Sequence, residues 1–247
     1  MNEINAFKEE VKLNIKKISE NEELKTLSKE WLKLSGEYKY SYNFQWMGRP
    51  IIQYPQDIIA MQEIVWKVQP DIIVETGIAH GGSLILYASM LELIGKGKVL
   101  GVDIDIREHN RIEIEKHSMY RRINMIEGSS IDENVVNKVK EFIGSNKKVM
   151  VVLDSNHTHD HVKKELNLYS EFVSKGSYLV VFDTCVEDMP DDLFTNKPWR
   201  KGNNPKTAVL EFLKENNRFE VDKNIEDKLL ITVAPSGYLK CVRDLKE

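Results

Sequence analysis

Three aspartates each close an apolar run: Asp103 after Val99-Leu100-Gly101-Val102, Asp154 after Val149-Met150-Val151-Val152-Leu153, and Asp183 after Tyr178 to Phe182. Carboxylates so placed can accept hydrogen bonds from ligand hydroxyls or hold a hard cation through oxygen. A histidine-rich stretch follows the second: Asp154-Ser155-Asn156-His157-Thr158-His159-Asp160-His161. Histidine titrates near neutral pH, so one of these can take a proton. The last chemical element is the turn Val74-Glu75-Thr76-Gly77-Ile78-Ala79-His80-Gly81-Gly82-Ser83. Its glycines let a ligand approach bare backbone at the start of a helix. The spacing is neither G-x-G-x-x-G nor G-x-x-x-x-G-K-[ST], so neither a dinucleotide fingerprint nor a phosphate loop is present.

These residues need a frame to bring them together. The runs at 71–74, 99–102, 123–126, 149–153 and 178–182 are apolar without alternation, which predicts strands buried on both faces. Helical patterns lie between them, from Leu84 to Leu93, Asp132 to Phe142, His159 to Val173 and Lys206 to Asn216. Strand and helix in alternation imply an α/β fold with a doubly wound, mostly parallel sheet. The tail, Leu229 to Val233, Pro235-Ser236-Gly237, then Tyr238 to Val242, predicts a β-hairpin and brings the strands to seven. Residues 1–37 carry Leu24, Leu27, Trp31 and Leu34 at helical spacing. Residues 38–57 concentrate Tyr38, Tyr40, Tyr42, Phe44, Trp46 and Tyr54, which either cover a pocket or pack a flank of the core. Asp57 to Val68 reads as a helix leading into the first strand. The expected division is a helical and aromatic extension over 1–57 and a main domain over 58–247.

In an open parallel sheet, ligands bind beyond the carboxyl ends of the strands. A single aspartate there is as readily a turn or helix cap as a ligand. Three of them around one crevice point to a site. Asp103, beside the glycine turn, fits a ribose clamp, with Asp105 as the competing candidate. Asp154 and Asp183 on adjacent strands repel unless a cation lies between them. Mg2+ takes oxygen ligands and suits the pair, and Thr184 offers a further oxygen. His157 is the candidate general base. Zinc on His157, His159 and His161 is disfavoured, because an i, i+2 array at a helix start does not converge on one point.

The bulk properties set bounds. The 247 residues suffice for one large core, and a net charge of −4 argues against nucleic acid as a partner. No apolar run approaches the ~18–20 residues of a membrane span, and the N-terminus lacks a signal-peptide core. Cys185 and Cys241 are the only cysteines, which excludes zinc-type spacing and leads us to expect a reduced, cytoplasmic protein.

The blocks VETGIAHGGS, LDSNHTHDHV, GSYLVVFDT and NNPKTAV, in that order, resemble the cephalosporin hydroxylase / rhamnosyl O-methyltransferase family. The resemblance covers roughly residues 40–240. It implies the class I methyltransferase fold, a Rossmann-like seven-stranded sheet, with S-adenosylmethionine (SAM) as cofactor and a bound Mg2+. It implies methyl transfer to a hydroxyl of a sugar, natural product or glycan precursor. By position, Glu75, Thr76, Gly77, Gly81, Gly82 and Ser83 would hold the methionine part, with Glu75 near its amino end. Asp103 would hold the ribose, and Gly128, Ser129 and Ser130 would border the adenine. Asp154 matches the first metal ligand and His157 the base. Where the family has an adjacent Glu-Asp pair, this chain has Phe182-Asp183, so that Thr184, Glu187 or a water must supply the missing oxygen. Trp199, Asn203, Asn204 and the aromatics at 42–54 are expected around the acceptor, with Arg49 toward an acidic group on it; Trp199 as a packing anchor and Asn203-Asn204 as a turn are the alternatives. Competing readings are a non-catalytic SAM- or metal-binding protein, a nicotinamide oxidoreductase, and an oxygenase with iron on His157, His159 and Asp154. The N-terminal segments are candidates for homo-oligomer contacts.

Overall fold

Valine, isoleucine and leucine runs dominate the centre of the chain, and each folds as a strand with both faces covered. The computed structural model describes residues 2–145 and 147–245. Two helices, α1 (Glu3–Ser19) and α2 (Glu22–Glu37), precede a short hairpin of β1 (Phe44–Trp46) and β2 (Arg49–Ile51). Then come α3 (Pro55–Val68), β3 (Ile72–Thr76), α4 (Gly82–Ile94), β4 (Lys98–Asp103), α5 (Glu108–Lys116) and β5 (Ile123–Glu127). The second half runs α6 (Glu133–Ile143), β6 (Val149–Leu153), α7 (His159–Tyr169), β7 (Tyr178–Val181), α8 (Pro205–Glu215), β8 (Phe219–Val221), α9 (Lys223–Leu229) and β9 (Tyr238–Cys241).

The main sheet has seven strands in the order β5-β4-β3-β6-β7-β9-β8. Strands β3 to β7 pair parallel with one another, and β9 runs antiparallel to both β7 and β8. The chain first builds outward from β3 through β4 to β5, then returns to the other side with β6. The order therefore reverses between β3 and β6, which is where a crevice opens in such sheets. Every residue of β3, β6 and β7 is buried. One apolar layer, containing residues of α3 and α4, covers one face, and a second, containing residues of α6, α7 and α8, covers the other.

One sequence expectation changes and two are sharpened. The helical N-terminal segment is two helices over residues 3–37, because the Asn21 side chain accepts from the Leu24 backbone N–H and starts the second. The terminal hairpin exists as an antiparallel pair, but β9 pairs with Phe219–Val221. Leu229 to Val233 is not a strand; Lys223–Leu229 is a helix, and the following loop is held by side chains. The aromatic stretch is mainly a flank of the core: Trp31 and Tyr40 lie 5.0 Å apart edge to face, and Tyr40 stacks on Tyr54 at 5.5 Å. Tyr38 and Tyr42 are exposed. No helix among the described residues is long and apolar enough to cross a membrane.

Asp57, in the first turn of α3, joins the N-terminal half to the end of the sheet. It is fully buried and accepts from Thr232 Oγ1 (2.5 Å), Tyr238 Oη (2.6 Å) and the Val233 N–H (3.0 Å). Burial raises its pKa to about 6 despite these donors. Tyr238→Phe leaves the ring and removes one donor to a buried carboxylate. It should lower unfolding stability by about 1–3 kcal/mol in denaturant titration, and an unchanged midpoint would remove Asp57 from its linking role.

Candidate active site

The turn after β3 is shaped by backbone that side chains resist. Gly77, Ala79 and Gly81 have φ of 91°, 46° and 81°. A Cβ on Gly77 would lie 2.1 Å from the Asp154 carbonyl oxygen, and one on Gly82 would lie 2.2 Å from the Pro50 carbonyl oxygen. Glycine is required at both points. The Thr76 carbonyl accepts from the Asp154 N–H at 2.9 Å, so the ends of β3 and β6 are locked side by side. From the other side, Arg49 forks onto the His80 carbonyl (Nε 3.0 Å, Nη2 2.6 Å) and reaches Asn110 Oδ1 at 3.1 Å. Arg49 thus braces the turn instead of facing an acidic acceptor.

Asp103 stands at the end of β4, beside this turn. Its Oδ2 accepts from Ile78 N (2.7 Å) and Ala79 N (3.3 Å), and its Oδ1 from Asp105 N (3.1 Å). A carboxylate offers about four acceptor sites, so capacity remains for a ligand hydroxyl. Asp105 is exposed and turned to Arg107. A cavity of about 260 Å³ opens here, lined among others by Gly77, Asp103, Ser129, Ser130, Asp154 and His161. The sequence missed His161 and Ser155 on this wall. Ser155 Oγ donates to the fully buried Glu165 (2.7 Å), and His161 Nε2 lies 3.1 Å from Ser130 Oγ.

Asp154, His157 and Asp183 each place one ligand atom within 4.8 Å of the others. His157 Nε2 is 3.2 Å from Asp183 Oδ2, and the Trp199 ring meets the imidazole edge-on at 4.7 Å. Asp183 holds φ at 55°, a strained value for a non-glycine residue and one that marks functional positions. Burial, and then the Asp183 charge, push the Asp154 pKa well above the usual carboxylate range. Among the described residues no lysine or arginine pairs with either aspartate. A hard divalent cation is the partner such a pair lacks, and the donor set fits one.

The remaining sequence candidates are engaged elsewhere. The Thr184 hydroxyl donates to the Pro235 carbonyl at 2.7 Å. Glu187 accepts from Gly202 N (2.8 Å) and Asn204 Nδ2 (2.5 Å), and Asn204 caps α8. Asn203 Oδ1 accepts from His159 N, while the His159 ring contacts Thr207 and Glu211 at 2.8 and 3.1 Å. Asn203 and Asn204 therefore build the turn and are not free for an acceptor. Only His157 of the three histidines reaches the carboxylates, so neither a zinc cluster of histidines nor a two-histidine iron site is assembled.

Glu75 is buried at the end of β3. It accepts from Ser83 Oγ at 2.6 Å and is not among the residues lining either cavity at the turn. The second of these cavities, about 40 Å³, is lined by the 50–53 segment, the turn and Asp154. Gln53 lies in it, signalled in the sequence only as a polar residue inside Ile51-Ile52-Gln53-Tyr54. Burial lifts the Glu75 pKa to about 8. The folded protein then holds a proton there that the unfolded chain releases above about pH 4.5. Stability should fall by up to about 1.4 kcal/mol per pH unit as pH rises from about 5 to 8. Glu75→Gln should flatten that slope in thermal melts, and a slope identical to the parent's would contradict the assignment.

The 38–242 segment matches the family described as Rhamnosyl O-methyltransferase/CmcI. Rhamnosyl O-methyltransferase of Mycobacterium tuberculosis (strain ATCC 25618 / H37Rv) is 30% identical over 200 residues, covering 78% of this chain and 76% of that one. The protein of the same name from Mycobacterium leprae (strain TN) is 28% identical, covering 78% and 81%. A CmcI structure with Mg and SAM superposes with a TM-score of 0.58 at 16% identity, covering 82% of this chain and 78% of that one. An O-methyltransferase from Bacillus cereus in complex with SAH gives 0.51 at 12%, covering 78% and 81%. The structural likeness is one of fold. The match in sequence, spanning most of the chain, carries the conclusion that this chain belongs to the rhamnosyl O-methyltransferase/CmcI family.

Proposed function

We propose that the protein is a SAM-dependent, cation-assisted O-methyltransferase acting on a hydroxyl of a sugar or natural-product scaffold. The observation that carries this reading is the convergence of Asp154, His157 and Asp183 at the edge of a cavity bounded by the glycine turn and Asp103. The names of the mycobacterial relatives and their sugar acceptor support the acceptor class. Gly77, Gly81, Gly82 and Ser83 shape the methionine side, with Glu75 and Thr76 behind them. Asp103 binds the ribose, and Ser129 and Ser130 border the base. Asp154 and Asp183 would hold Mg2+.

When bound, SAM supplies the sulfonium methyl and Mg2+ lowers the pKa of the acceptor hydroxyl. His157, whose Nε2 lies 3.2 Å from Asp183 Oδ2, takes the hydroxyl proton on its imidazole, and the adjacent carboxylate stabilises the charge that results. Trp199 limits the swing of the imidazole. The locked ends of β3 and β6 fix the distance between cofactor turn and base, and positioning of this kind can contribute about 7–11 kcal/mol. Thr184 supports the Asp183 turn through Pro235. Free, buried Cys185 and Cys241 suit the reducing cytoplasm. Exposed Ile4, Phe7 and Leu27 on α1 and α2 suit self-association through these helices.

Asp154→Ala tests the core of the reading. It should cut methyl transfer to a rhamnose-bearing acceptor by ~10²-fold or more while SAM affinity, measured by calorimetry, stays within a few-fold. Equal turnover by the variant would end the metal role. Binding of SAM with no turnover by either protein on any hydroxyl acceptor would favour a non-catalytic binding protein.

A further inference from the structure

Gln53 is 94% removed from solvent by the fold, with 6% relative exposure, yet its Oε1 has no hydrogen-bond partner. Buried carbonyl oxygens are rarely left unpaired. Its backbone is not free to relieve this: the Gln53 N–H donates to the Ser41 carbonyl at 3.2 Å, and Pro50 sits against Gly82. Gln53 is among the residues that line the smaller cavity, with residues 77–80, Gly82, Ser83 and Asp154.

The two cavities share Gly77, Ala79 and Asp154. The larger, near 260 Å³, takes a nucleoside-sized body. The smaller, near 40 Å³, is too small for a sugar ring and suits a charged head group. A ligand with a bulky nucleoside and a compact zwitterionic end matches the pair. The head group has two parts. Carboxylate belongs at the start of α4, where backbone N–H groups point outward. Ammonium needs an acceptor, and Glu75 lines neither cavity.

We propose that Gln53 recognises the amino-acid end of SAM, its Oε1 accepting a hydrogen bond from the α-ammonium. This rests on the cofactor reading above and adds to it a residue from outside the main sheet. The hairpin segment thereby becomes part of the cofactor site.

The test compares the parent and Gln53→Leu by calorimetry with three probes: S-adenosylhomocysteine (SAH), 5′-methylthioadenosine, which lacks the amino-acid end, and decarboxylated SAH, which keeps the amine alone. Gln53→Leu should weaken SAH about 10-fold or more, weaken decarboxylated SAH equally, and leave methylthioadenosine within about 2-fold. Retained methylthioadenosine binding also shows that the variant is folded, and Gln53→Met replaces it should leucine prevent folding. Unchanged SAH affinity overturns the proposal. So does an equal loss on methylthioadenosine, which would make Gln53 a wall of the fold, or a loss confined to SAH, which would assign it to the carboxylate. A parent protein that binds none of the three overturns the cofactor reading itself and the Gln53 role with it.

Discussion

The backbone of Gly77 passes so close to the carbonyl of Asp154 that no side chain fits between them. That contact exists because β3 and β6 are neighbours at the point where the strand order reverses. Each neighbour then carries one half of the chemistry. The end of β3 gives the turn that receives a ligand, and the end of β6 gives the aspartate and histidine that act on it. Strand β4 adds Asp103 on one side and β7 adds Asp183 on the other. The spacing between binding and reacting groups is therefore set by sheet geometry, which is stiffer than any loop. Arg49 and Pro50 press on the same turn from outside the sheet, so its unusual dihedrals are held from both directions.

The electrostatics follow from the same packing. Asp57, Glu75 and Asp154 are acids drawn into one region with little positive charge among them. Burial dominates each and raises each pKa. Asp57 and Glu75 are supplied with hydroxyl donors and serve the fold. Asp154 lacks such donors and faces a second carboxylate, and that difference separates a structural acid from a working one. The strained turn at Asp183 belongs to the same contrast, since the residue is held where the chain alone would not put it.

Much of this was legible in the chain. The apolar runs gave the five parallel strands, and the aspartates that close them were found at the crevice because strand ends and ligand sites coincide in such sheets. His157 was separable from His159 and His161 by its distance from Asp154. What escaped were side chains whose partners lie far away in sequence. Thr184 looked free and proved to be engaged by a distant carbonyl, while for Asn203 and Asn204, read either as acceptor contacts or as a turn, the fold selects the turn and helix cap. Arg49 looked like a binding residue for the same reason. Gln53 was invisible because its position on the crevice depends on the β1–β2 hairpin folding over α4, a contact no local pattern encodes. The strand at Phe219–Val221 was missed because three residues are too few to show a period.

Strand β9 lies between β7 and β8, and its Tyr238, with Thr232 and Val233 just before it, holds Asp57. The segment that bears Gln53 thus depends on chain made some 180 residues later. On a ribosome, the five parallel strands can pair as they emerge, but β8 must wait for β9 to slot in ahead of it. The cover over the glycine turn cannot be pinned until the same moment. Assembly of the crevice is consequently a late event in the birth of the molecule, and a nascent chain stalled before Tyr238 would carry the reacting carboxylates on an unfinished sheet with its β7 edge open to pairing with other chains.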